Sequence, residues 1–385
     1  MGDRQHVRPD KDLVAQVIER GGDSVKKCFQ CSTCTVVCPV SPADSPFPRK
    51  EMIWAQWGLT DRLVKDPDLW ICQRCGDCNA RCPRDAKPGN VMAALREYVI
   101  GTCAAPKPIA RAFSSPWYLP LLLVIPALLF VLWLWLWGDL HNPNGFHSEG
   151  GRIVLSEFIK DSHADYGLFI LFGIVLIVLA LGIRRFWKGL MASEAGKSRT
   201  GLTLPQSLGL AVFEIIKHAN FLKCKGSKWV YYAHLAIFYG CLALLAATAI
   251  TFVLHYADKW LDLSYHWESP WGIFSPTKAF GLIGSILVSG GVLLAIARRL
   301  SKDPTVGSTS YGDWFLLIML LLTVFSGIAT WLIRVMEWEA AAYWAYMIHA
   351  VFLFELFLYA PFTKGAHILY RLTARTWSYY TGRGL

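Results

Sequence analysis

Beyond residue 115 the chain carries six long apolar stretches, at about 117–137, 166–183, 229–254, 279–297, 314–333 and 344–363. At about 1.5 Å of rise per residue, each is long enough as a helix to cross roughly 30 Å of hydrocarbon. In lipid every backbone N–H and C=O must be satisfied within the segment, so uninterrupted apolar runs of this length read as helices. The fold class predicted is therefore all-α, with a six-span transmembrane helical bundle filling residues 106–385. Composition agrees: 54% of residues are hydrophobic and only 17% are charged. Many of the stretches begin or end in Trp or Tyr, residues that favour the membrane interface.

The formal net charge of +10 could suggest a nucleic-acid partner. Its distribution argues instead for topology. Basic residues gather before the first stretch (Lys107, Arg111), between the second and third (Arg184, Arg185, Lys188, Lys217, Lys223), after the fourth (Arg298, Arg299) and after the sixth (Lys364, Arg371, Arg375). The alternate connections carry Asp262, Glu268, Glu337 and Glu339. Lys and Arg mark cytoplasmic loops, so both termini are expected in the cytoplasm, in a multi-pass inner-membrane protein with no nucleic-acid role. Met1 to Leu13 is charged and has no apolar core of the kind a signal peptide uses, which points the same way.

Residues 1–105 are different in kind and hold nine of the eleven cysteines. Eight form a duplicated run, C-x2-C-x2-C-x3-C-P: Cys28, Cys31, Cys34 and Cys38, then Cys72, Cys75, Cys78 and Cys82. This is the ferredoxin-type spacing for two [4Fe-4S] clusters, in which the fourth thiolate of each run crosses to the other cluster. Cys28, Cys31, Cys34 and Cys82 are expected to hold one cluster, and Cys72, Cys75, Cys78 and Cys38 the second. Zinc knuckles would use the C-x2-C pairs but need neither the fourth cysteine nor the following proline. Helices are predicted over 50–58 and 89–100, giving a small helical ferredoxin-type two-cluster domain in a reducing compartment. Cys103, Cys224 and Cys241 are left over and read as ordinary thiols.

Histidine is costly in hydrocarbon and marks a site by default. His349 and His367 are eighteen residues apart, five turns of a continuous helix, which would put both rings on one face about 27 Å apart. His234 lies near the inner end of the third stretch and His255 at its outer end. Bis-histidine ligation of two b haems follows, with His234 and His367 on the inner iron and His349 and His255 on the outer one. His163 is the alternative to His255. His218, in an amphipathic stretch over 207–222, reads as a surface or quinone-site residue, and Glu355 as a carboxyl buried between helices or a proton relay.

These residues also carry a resemblance. Lys225-Gly226 ahead of His234, the run Gly290-Gly291-Val292-Leu293-Leu294 leading to Arg298-Arg299-Leu300, and Pro361-Phe362-Thr363 before His367 resemble the cytochrome b that forms the gamma subunit of respiratory nitrate reductases. The paired cysteine runs resemble the C subunit of heterodisulfide reductases. The combination, with an added first span, resembles the C subunits of the quinone-interacting membrane-bound oxidoreductase complexes of sulfate reducers. That resemblance implies a subunit of a quinone-linked oxidoreductase, passing electrons between menaquinone and cytoplasmic flavin and iron-sulfur subunits. The downstream acceptor it implies is adenosine phosphosulfate reductase; the competing reading is a membrane anchor for a heterodisulfide reductase- or sulfite reductase-linked complex. One departure stands out: Leu244 fills the position where the nitrate reductase subunits have a further haem histidine. A quinol site near His349 is expected from the same likeness.

Overall fold

In the computed structural model of the chain, residues 9–137, 153, 155, 161–193, 196, 198–224, 228–261, 274–301 and 303–383 are described. Asp262, Glu268 and the Lys225-Gly226 pair lie outside them. Every regular element among the described residues is helical. Six helices are long and apolar enough to cross a membrane: Pro116–Leu136, Tyr166–Met191, Lys228–Ala257, Pro276–Leu300, Tyr311–Val335 and Glu339–Phe362. Polar caps open several of them. Ser275 Oγ accepts from the Lys278 amide (3.3 Å) with Pro276 in the first turn, and Ser310 Oγ accepts from the Asp313 amide (3.1 Å). Such caps satisfy donors that a helix start leaves unpaired.

The third and fourth spanning helices approach so closely that glycine is required between them. A Cβ on Gly284 would stand 2.9 Å from the Gly240 carbonyl oxygen and 2.8 Å from Leu244, and one on Gly291 would stand 2.7 Å from the Ala233 oxygen. Lipid offers no hydrophobic drive between helices, so small residues that admit close contact hold them. Leu244 belongs to this tight seam.

The sixth span does not continue to His367. Its helix ends at Tyr359, because Pro361 has no N–H to extend it, and two short 3-10 turns, Ala360–Phe362 and Lys364–Ala366, follow. His367 opens a new helix, His367–Thr381. The five-turn argument for a shared face of His349 and His367 therefore fails, since no continuous helix joins them.

The N-terminal part is built from short helices around the longer Pro88–Cys103 helix. Its core does not stop at residue 105. Trp70 stacks on Tyr370 (centroids 5.1 Å apart, 19° between planes) and meets Phe186 edge-on at 5.8 Å, so the N-terminal part, the second spanning helix and the last helix share one apolar centre. Each such fully buried side chain contributes about 1.5–3 kcal/mol. Apolar burial and largely buried ion pairs such as Arg74–Asp313 together dock the two parts.

One polar cluster in this region has no signature in the sequence. Glu51, Asp66 and Asp68 are buried together, with Lys50 Nζ 2.7 Å from Glu51 and Arg383 Nη2 3.0 Å from Asp68. Burial first, then the charge of Asp66, holds the Glu51 carboxyl well above its usual range. Replacing one partner of a buried ionic cluster strands the other charges at a cost of about 3–5 kcal/mol. Lys50→Met is expected to destabilise the N-terminal part by that order, seen as proteolysis of residues 1–105 while the membrane part stays intact.

Candidate functional site

The two cysteine runs fold into loops of the same unusual shape. In the first, Gln30 and Ser32 have φ of 68° and 69°; in the second, Arg74 and Gly76 have φ of 54° and 91°. A non-glycine residue held there costs about 1–3 kcal/mol, and such strain persists where the surroundings impose it. The turns wrap the chain around a small centre and aim amides at sulfur: Arg74 N–H donates to Cys72 Sγ (3.4 Å), and Ala86 N–H donates to Cys82 Sγ (3.3 Å).

The fold brings the fourth cysteine of each run near the other run. Cys82 is close enough to Cys28 and Cys34 for their charges to act on one another, and Cys38 stands in the same relation to Cys72, Cys75 and Cys78. A small cavity of about 20 Å³ is walled by Cys38, Cys72, Cys75 and Cys78. Burial, with the neighbouring sulfurs adding to it, pushes the Cys34 thiol up to about 11 and Cys38 up to about 12. Four thiolates so placed are repelled unless a cationic centre sits among them, and such a centre inverts the balance. The donor sets fit two iron-sulfur clusters on this ground.

Cys224, an ordinary thiol by sequence, lies in hydrogen-bond contact with Cys75, and that contact first, then burial, drives its thiol pKa up. Cys103 is buried beside Tyr370, and Cys241 lies in the seam of the third and fourth spanning helices.

A second, larger cavity of about 310 Å³ opens between the second cysteine loop and the ends of the spanning helices nearest it. Cys72, His218, His234 and His367 all line it. The rings of His234 and His367 have centroids 6.2 Å apart. Two imidazoles on opposite sides of one metal, with bonds of about 2 Å, place their centroids about 6 Å apart. Burial holds His367 down to about 4, so it stays neutral and keeps a lone pair. Arg74, Arg96, Arg298, Arg299, Lys364 and Arg371 also line the cavity, opposed by Asp313 and Glu214. An excess of cations beside paired imidazoles fits a haem, whose propionates are anionic.

Several of these cations also clamp the second cysteine loop over the cavity. Arg96 donates to the Cys72 carbonyl, Arg298 to the Cys75 carbonyl (3.3 Å) and Arg371 to Gln73 Oε1 (3.1 Å). Arg74 pairs with Asp313 of the fifth span at 2.6 Å, and Lys364 reaches the same carboxylate at 2.5 Å. A Cβ on Gly76 would collide with the Thr305 carbonyl oxygen, so the cysteine loop and the connection between the fourth and fifth spanning helices touch backbone to backbone.

His218 is not at the surface. It is 5% exposed and its Nε2 lies 3.1 Å from Nδ1 of His234. The stretch over 207–222 breaks at this residue into two helices, Leu204–Lys217 and Ala219–Lys223, with His218 at φ 51° between them. His349 and His255 are arranged differently. His349 lies 3.1 Å from Ser326 Oγ and against Gly327, and among the described residues no second histidine is in ring contact with it. His255 stacks edge-on with Tyr256, and the side chain of His163 lies outside the described residues. Glu355 is 2% exposed within the sixth span.

Fold and site together define a multi-pass, all-helical redox protein with a two-cluster iron-sulfur domain docked on its spanning helices. Residues 24–86 match the 4Fe-4S dicluster domain family. The N-terminal part is similar to the C subunit of the H(2):CoB-CoM heterodisulfide,ferredoxin reductase of Methanothermobacter marburgensis, 41% identical over 88 residues, 23% of this chain and 47% of that protein. It is also similar to an Archaeoglobus profundus protein that is itself like the C subunit of heterodisulfide reductase, 33% identical over 110 residues, 27% of this chain and 58% of that one. The C subunit of the ferredoxin:CoB-CoM heterodisulfide reductase of Methanosarcina acetivorans is 35% identical over 75 residues, 19% of this chain and 30% of that protein. The chain spans about half the length of the first two of these relatives. No solved structure matches it. The N-terminal domain is thus similar to the C subunits of heterodisulfide reductases over its cysteine runs, a likeness that supports iron-sulfur electron transfer.

Proposed function

We propose that this chain is the membrane electron-transfer subunit of a quinone-linked oxidoreductase complex. It joins the menaquinone pool to cytoplasmic flavin and iron-sulfur subunits, with adenosine phosphosulfate reductase as the downstream partner. The observation that supports this reading is the cavity lined by Cys72, His234 and His367, where two imidazoles adjoin the second cysteine run. Bound there, a haem and two [4Fe-4S] clusters would each take up and give back one electron. The chain's own part is to hold those groups: Cys28, Cys31, Cys34 and Cys82 for one cluster, Cys72, Cys75, Cys78 and Cys38 for the other, His234 and His367 for the inner haem. Arg96, Arg298 and Arg371 keep the second cysteine loop seated on the cavity, so the distance between carriers is built in rather than left to diffusion. Burial of the site excludes water that would add reorganisation to each transfer.

An outer haem would take His349 with His255 or His163, and quinol oxidation near His349 goes with it. Two b haems per chain are expected from pyridine-haem analysis of the purified protein; one haem per chain would remove His255 from the ligands. The second reading, an anchor of a heterodisulfide reductase-type complex, is favoured by the names of the relatives matched. Heterodisulfide reductases hold a catalytic cluster with a Cys-Cys-Gly repeat that this sequence lacks. Co-purification separates the two. Flavin and iron-sulfur subunits that let menaquinol reduce the haem support the first reading, whereas a Cys-Cys-Gly partner with no response to menaquinol overturns it.

A further inference from the structure

The position of His218 follows from a helix end. The Leu204–Lys217 helix leaves its last carbonyls without intrahelical donors, and that of Ile216 accepts from Tyr239 Oη (2.9 Å) and from His218 Nδ1 (3.0 Å). A carbonyl oxygen only accepts, so the His218 proton sits on Nδ1. In a neutral imidazole the other nitrogen is then an acceptor. Nε2 of His218 therefore accepts from His234 Nδ1–H across 3.1 Å, which leaves the lone pair of His234 on its own Nε2. A charged His218 would reverse this, with both its nitrogens donating and the His234 proton displaced to Nε2. The enclosure of His218 by Phe221, Phe238 and Tyr239, at 5% exposure, favours the neutral form. His367 reaches the same state by a simpler route, donating from Nδ1 to the Lys364 carbonyl.

We propose that His218 is a positioning residue that fixes the tautomer of His234 through the relay Ile216 carbonyl, His218, His234, and so sets the affinity and reduction potential of the haem at the inner site. The inference rests on the reading of His234 and His367 as haem ligands. A partner that accepts the far proton of a metal-bound imidazole orients the ring and raises its basicity. A more basic ligand favours ferric over ferrous iron, so losing the acceptor raises the potential.

The test uses the full-length, detergent-solubilised protein, titrated potentiometrically by visible spectrum with low-temperature EPR alongside. His218→Ala is expected to weaken haem retention about tenfold. It is also expected to shift the reduction equilibrium about tenfold toward ferrous, 59 mV for a one-electron centre. His218→Gln, whose amide oxygen can accept from His234, is expected to recover much of both. Iron content at the cysteine sets, unchanged in each variant, shows that the fold is kept. If His218→Ala removes the haem as completely as His234→Ala, His218 is itself a ligand and the relay is wrong. A potential and retention equal to wild type would also overturn it. A wild-type protein without b haem at the inner site would overturn the functional reading, and the relay with it.

Discussion

Cys82→Ser is expected to abolish the cluster built on Cys28, Cys31 and Cys34 while leaving the one nearer in sequence intact. About half of the iron is lost. The reason is the crossing: Cys82 sits among the thiols of the first run, and Cys38 among those of the second, with Cys38 walling the same small cavity as Cys72, Cys75 and Cys78. A thiolate removed from a four-sulfur set leaves an open iron site that serine fills poorly, whereas the other set keeps all its ligands. EPR of the reduced protein, with the two clusters resolved by their interaction, reads the result directly. Cys38→Ser is the mirror experiment and should spare the first cluster. Loss of the second signal in Cys82→Ser would show local, uncrossed ligation.

The second large effect is expected at His367. His367→Ala should eliminate the inner haem, a loss beyond the roughly 10–100-fold in affinity that a change behind the ligands costs. His234→Ala should do the same, because the two rings face one cavity with centroids 6.2 Å apart and both would hold the haem. His349→Ala should leave the inner haem in place, since the break at Pro361 separates His349 from His367 and its polar contact is with Ser326. Reduced-minus-oxidised spectra of the three variants, with iron content as the control for folding, decide it. Survival of the inner haem in His367→Ala would shift the ligand pair to His234 and His218, the two imidazoles already in contact.

Much of this architecture is legible in the chain before folding. Apolar length alone announces six spanning helices, because hydrocarbon leaves the backbone no other partner than itself. Spacing alone announces the crossed cysteine sets, because a C-x2-C-x2-C loop can wrap only one small centre and its fourth cysteine falls beyond reach of it. His234 and His367 are visible as polar rings at the ends of apolar segments.

What lay beyond the sequence came from contacts between distant segments. Periodicity treats residues 349 to 367 as one helix, but a proline two residues past Tyr359 ends it, so the place of His367 depends on two turns and a new helix rather than on a count of turns. His218 reads as a surface or quinone-site residue in an amphipathic stretch, yet the fold turns that helix end onto His234. The clamp of Arg96, Arg298 and Arg371 on the second cysteine loop has no local signature either, for each arginine lies far along the chain from the group it holds. Local patterns thus determined which segments are long and apolar enough to cross a membrane and where the duplicated cysteine runs fall, since both depend on short-range geometry and solvent. Only the tertiary structure decided which histidine stands behind which, and how closely the iron-sulfur domain sits on the membrane site, because hydrogen bonds between remote segments carry no period to read.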